Sequence, residues 1–202
     1  MKNFMRIKER LLFTFFGVLA LTVISCSDDD DSSVPPPTAD NIVDIAASTP
    51  ELSTLVEALT LYPDLVNTLS APGTFTVFAP DNNAFTAVLG DIGQSSVNDL
   101  SEDVLRDILE YHVASSAALF AADLSDGQTV GMVNGSSVVV SLPGTGVLIN
   151  DSQVSTADIE ASNGIIHIVD AVLVPPAMLP ILGTIVAPVY FDKDFTTLVA
   201  AV

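Results

Sequence analysis

Apolar residues recur at helical spacing in the first half of the chain and at strand spacing in the second. In "STPELSTLVEAL", Leu52, Leu55, Val56 and Leu59 stand at i, i+3, i+4 and i+7, one face of a helix. Thr49 is placed to cap it, Pro50 fits its first turn, and Glu51 suits the positive end of its dipole. Pro63 interrupts this run, and "PDLVNTL" predicts another short helix before a turn at Ala71-Pro72-Gly73. "FTVFA" (75–79) reads as a strand that Pro80 holds extended at its end. Asp81 then caps a helix carrying Phe85, Val88 and Leu89 on one face, with Pro80 and Phe85 at the spacing of a hydrophobic staple. "LSEDVLRDILEYHV" gives the strongest helical pattern. Ser101 is its expected cap, Glu102 and Asp103 load the first turn, and Leu105, Ile108, Leu109 and His112 form the stripe. Arg106, Asp107 and Glu110 face water.

From Asp126 onward the period shortens to two. "QTVGMV" and "SSVVVSL" read as strands, and "PGTG" (143–146) joins the second to "VLIN" as a hairpin. "GIIHIVDAVLVP" has two apolar faces, Ile166, Ile168, Val172 and Val174 against Ile165, Val169 and Leu173, which predicts an interior strand. Helices come first and strands follow, an α+β order.

Composition narrows the function. The chain has 202 residues, 49% of them hydrophobic, with no Trp and three Tyr, so a large aromatic platform for sugars is not expected. Four of the six basic residues lie in the first ten positions. Beyond residue 25 only Arg106 and Lys193 remain, against 24 acids, giving 2 − 24 = −22. Such a surface repels phosphate backbones, so no nucleic-acid partner is expected. Adsorption onto anionic lipid is disfavoured for the same reason.

The basic start "MKNFMRIKER" precedes a 14-residue apolar run, Leu11 to Ile24. That length suits a secretory signal better than a membrane span. The run ends in "VISC", then "SDDDDSS", which resembles the lipobox of bacterial lipoproteins. The resemblance implies cleavage before Cys26, the one cysteine in the chain, and acylation of its thiol and amine. Several acyl chains together give stable anchoring. Residues 1–25 are thus expected to be a signal peptide, and 26–40 an acidic, proline-bearing linker. The acidic run Asp28 to Asp31 resembles signals that send some lipoproteins to the outer face of the outer membrane.

Candidate chemistry is sparse. His112 and His167 are the two histidines. A zinc site needs three or four ligands, and the remaining Cys is the expected lipid anchor. His112 sits on an apolar helix face and His167 in a buried strand, so both are expected to be hydrogen-bonded core residues. There is no G-x-S-x-G elbow and no phosphate-binding loop with its lysine. "DDDD" lacks the spaced ligands and turn glycine of a calcium loop. No metal, no cofactor and no catalytic residues are expected.

Several segments together resemble a fasciclin-type (FAS1) domain. "TFTVFAPDNNAF" (74–85) is similar to its first motif, Tyr111-His112 to its central Tyr-His pair, and "ASNGIIHIVDAVLVPP" (161–176) to its second motif. Asn83 departs from an acid common there. The resemblance covers 41–178 and implies an α+β, FAS1-like fold, with N-terminal helices packed on a mixed or antiparallel β-sheet wedge. It also implies an extracellular adhesion or matrix-interaction unit without catalysis. In some animal members the Tyr-His region is implicated in receptor binding, which carries over to Tyr111 and His112 as binding residues.

Residues 42–59 align without a gap on 185–202, with identities at six of 18 positions. Phe195, Leu198, Val199 and Val202 repeat the face of Leu52, Leu55, Val56 and Leu59. Residues 181–202 are therefore expected to begin a second, truncated repeat; the other reading is a C-terminal helix packed on the first domain. The function expected is a lipid-anchored, outward-facing adhesion or protein-interaction module of the outer membrane. Its partners are the membrane, through Cys26, and a protein or matrix ligand. The alternative is an accessory lipoprotein that binds glycan or another nutrient for an uptake system.

Overall fold

A computed structural model describes residues 40–144 and 146–178. Cys26 and the 181–202 segment lie outside them.

Three helices open the fold: α1 (Ile42–Ser48), α2 (Ser53–Thr60) and α3 (Pro63–Ser70). Strand β1 (Phe75–Pro80) follows, then α4 (Asn82–Asp91) and α5 (Glu102–Tyr111). The rest is β: β2 (Val113–Ala114), β3 (Thr129–Gly131), β4 (Ser137–Ser141), β5 (Leu148–Ile149), β6 (Ser152–Ala161) and β7 (Gly164–Val169). The fold is α+β, with helices on a mixed sheet ordered β2-β1-β7-β6-β5-β4-β3. β1 runs parallel to β7, and the other pairings are antiparallel.

The sheet curls until its ends meet. The Val133 N–H, two residues past β3, donates to the Val113 carbonyl in β2 at 2.8 Å. This divides the apolar residues into two cores. One lies between the helices and the sheet and contains Leu55, Leu59, Phe85, Leu105, Leu109, Ile166 and Ile168. The other lies within the curl and contains Phe78, Tyr111, Val138, Val140, Ile149 and Val169. The two faces read from "GIIHIVDAVLVP" serve these two cores, with Ile166, Ile168, Val172 and Val174 in the first, and Val169 and Leu173 in the second; Ile165 is buried outside both. β7 lies inside the sheet, and all six of its residues are buried.

The structure corrects several local expectations. The 74–85 stretch forms a strand and a helix as expected, with the Asp81 carboxylate accepting from the Ala84 N–H at 2.7 Å. Thr49, however, does not cap the next helix. A 3-10 turn, Pro50–Leu52, intervenes, and the Thr49 hydroxyl donates back to the Ile45 carbonyl at 2.8 Å. It serves the end of α1, a helix the apolar pattern does not announce. Ser101 occupies the cap position of α5, but its hydroxyl is buried and makes no hydrogen bond. The last strand stops at Val169: the Asp170 N–H still donates to the Gln153 carbonyl, but the Gln153 N–H is returned to the Asp170 carboxylate. β6 is the largest omission. Its ten residues, "SQVSTADIEA", are mostly exposed, and the apolar alternation is confined to Ala157, Ile159 and Ala161.

Candidate interaction site

His112 and Tyr111 end α5 and are 2% and 1% exposed. The Leu173 N–H donates to His112 Nε2 at 2.9 Å, which places the ring proton on Nδ1, where it donates to the Ile108 carbonyl at 2.7 Å. Burial holds the imidazole well below its usual range, down to about 4. The ring is therefore a neutral strut between α5 and the chain beyond β7. The Tyr111 hydroxyl donates to the Ser137 carbonyl at 3.0 Å and accepts from Asn150 Nδ2 at 3.2 Å.

His167 is fully buried in β7 and holds the opposite tautomer. Its Nδ1 accepts from the Asp158 N–H at 3.3 Å, and its Nε2–H donates to the Leu119 carbonyl at 2.8 Å. The ring stacks on Phe78 with centroids 5.6 Å apart. Asp158 sits at φ 59° at an irregularity in the β6–β7 pairing, and its carboxylate accepts from the Ala121 N–H. Both histidines are core residues bonded through both ring nitrogens.

Two of the three polar residues of the first motif, Asp81 and Asn82, are committed to the fold. Asn82 accepts from the Thr54 N–H at 2.9 Å and donates to the Pro50 carbonyl at 3.0 Å, tying α4 to the start of α2. Asn83 is exposed. Among the described residues Arg106 is the one Lys or Arg, and it is held by Asp64 and Glu110. No cluster of three or more His, Cys, Asp or Glu suited to a metal occurs among them.

Tyr111 and His112 are buried, and they adjoin an open groove. The groove, of about 570 Å³, lies between β4, the β5–β6 turn and residues 171–176. Tyr111 is part of its lining, as is Leu173, the residue that His112 tethers. Val139 is 44% exposed beside half-buried Val172 and Val174. Asn150, at φ 53°, closes the β5–β6 turn and accepts from the Val139 N–H at 2.9 Å. Ser137, Ser141, Asn150 and Asp151 give the groove hydrogen-bonding groups along an apolar strip. Sequence reading missed Asn150 and Val139. The available signal was the "ND" pair between two short strands.

The Fasciclin domain profile matches residues 50–175. The chain belongs to the fasciclin domain family. It is 39% identical over 139 residues to Protein sll1483 of Synechocystis, covering 69% of this chain and 76% of that one. It is 33% identical over 144 residues to Immunogenic protein MPB70 of Mycobacterium bovis, covering 68% and 70%. It is 32% identical over 139 residues to Transforming growth factor-beta-induced protein ig-h3 of Sus scrofa, covering 69% of this chain and 20% of the relative. In this fasciclin domain the Tyr-His pair and both signature motifs lie at the junctions between helices, curled sheet and connecting segments, where their polar atoms hold the fold.

Proposed function

We propose that this fasciclin domain is a non-catalytic adhesion or protein-interaction module, held at the outer membrane by lipid on Cys26 and facing the exterior. Membership in the family fits an interaction role. The observation that favours binding over catalysis is the state of the histidines. Both are buried and hydrogen-bonded to backbone through both nitrogens, so neither is presented to a substrate. Tyr111 and His112 act on the partner through the groove they shape, and the partner is a protein or matrix surface with an apolar stripe and backbone groups for Ser137, Ser141 and Asn150. Residues 26–40 serve as the spacer, and 181–202 begin a second repeat that adds valency.

The test uses the full chain in its own outer membrane. Labelled palmitate should appear on the wild type and not on Cys26→Ser, which should leave the membrane fraction. Cross-linking on intact cells should capture a matrix or surface protein through the wild type and not through Val139→Asp, with melting temperature unchanged in that variant. Capture of a transporter would favour the uptake role, and turnover of any substrate that His112→Gln abolishes in a folded protein would overturn the non-catalytic reading.

A further inference from the structure

A second cavity lies apart from the groove, between α2, α3, α5 and the start of β1. It holds about 180 Å³. Buried Leu59, Leu69, Leu109 and Val113 form its floor, with half-buried Leu65 and Phe75 at the sides. The polar residues lining it are Thr68 and Ser115, both exposed, and partly buried Glu110, whose carboxylate is held by Arg106, so they stand at its rim. Gly73 helps to shape the wall. A Cβ there would come within 2.6 Å of the Phe75 ring, so the glycine leaves the ring its place. A smaller space of about 20 Å³ shares the four floor residues and runs toward Val77 and Ile166.

Such a space offers water almost no hydrogen-bond partners. Apolar cavities of roughly 150 Å³ stay dry and take up benzene-sized molecules. An apolar guest would regain the dispersion contacts that the lining atoms lack. Charge sets the guest's other requirement. Glu110 at the rim is already paired with Arg106 at 2.9 Å, and residues 26–202 carry 24 acids against two basic residues, so an anionic guest would shed its hydration in an apolar lining of a net negative chain with no uncommitted cation among the described residues.

We propose that this cavity binds a small neutral hydrocarbon-like molecule, the size of one aromatic ring or a short alkyl chain. This site and the groove differ in lining and in ligand chemistry, and binding here is independent of the adhesion reading.

The test titrates the full chain with toluene, 1-hexanol and hexanoate, followed by methyl NMR and thermal unfolding. Toluene and hexanol should give saturable shifts at Leu69, Leu109 and Val113 and raise the melting temperature. Hexanoate should bind at least about tenfold more weakly than hexanol. Leu65→Trp should fill the entrance and abolish binding with the melting temperature kept, and Thr68→Trp serves if that variant fails to fold. Absence of saturable shifts, unchanged binding in a folded plugged variant, or hexanoate binding as well as hexanol would each overturn the proposal.

Discussion

The Asn163 side chain lies 121 residues from Ile42 in sequence, and its Oδ1 accepts the Ile42 backbone N–H at 3.0 Å. The same amide donates to the Leu69 carbonyl at 2.6 Å and to the Ala71 carbonyl at 2.9 Å. One buried residue between β6 and β7 therefore holds the start of α1 and the end of α3. These are backbone groups that would otherwise sit unpaired beside the helix-side core.

Asn163→Ala should cost roughly 3 kcal/mol or more, because it strands a buried donor and two carbonyls. Asn163→Asp keeps an acceptor for Ile42 but turns an oxygen toward the Leu69 and Ala71 carbonyls. It should be the worse of the two at pH 7. Urea unfolding of both variants checks this, and an Asp variant as stable as wild type would refute the three-bond role.

Gly164 is paired with Phe75 in the parallel β1–β7 ladder. A Cβ there would lie 2.2 Å from the Phe75 carbonyl oxygen and 2.9 Å from Ile42 Cδ1. The first obstacle is backbone and cannot rotate away. Gly164→Ala should cost at least about 3 kcal/mol, at the upper end of overpacking effects. Loss of amide protection in β1 and β7 would be the structural readout by hydrogen exchange.

His112 links stability to pH. Its ordinary value is 6.5 and burial lowers it to about 4 in the fold. The unfolded chain therefore takes up a proton first as pH falls. The contribution is complete above pH 6.5 and is lost between 6.5 and 4, at about 1.4 kcal/mol per pH unit, roughly 3 kcal/mol in all. Denaturant unfolding at pH 7, 5.5 and 4 should show this slope, and His112→Gln should flatten it.

Ser101 reverses the usual rule for helix caps. Replacing a cap serine with alanine ordinarily costs about 1 kcal/mol. Here the hydroxyl is buried without a hydrogen bond, so Ser101→Ala removes an unmet polar group and should be neutral or stabilising. A loss above about 1 kcal/mol on thermal melting would show that the hydroxyl has a partner after all.

Periodicity announced the elements whose sides differ in burial. The faces of α2 and α5 were legible because each packs one apolar row on the helix-side core, and β7 because its two faces meet different cores. α1 escaped because seven residues with two buried positions, Ile42 and Ala46, are too few to show a helical period. Its cap did leave a trace, since Asn41 and Asp44 form a reciprocal capping box. β6 escaped because pairing with β5 and β7, rather than side-chain burial, makes it a strand.

The sequence by itself determined the α+β order, the signature motifs of the fasciclin family and the core character of both histidines. These depend on local spacing, and local spacing is written in the chain. The tertiary structure decided the rest: the parallel β1–β7 pairing, the meeting of the sheet's ends at Val113 and Val133, the opposite tautomers of His112 and His167, and the groove that Tyr111 helps to line. The first two rest on backbone hydrogen bonds that carry no residue signature, and the last two on which distant groups the fold brings to the histidine rings and to Tyr111, so local spacing does not encode them.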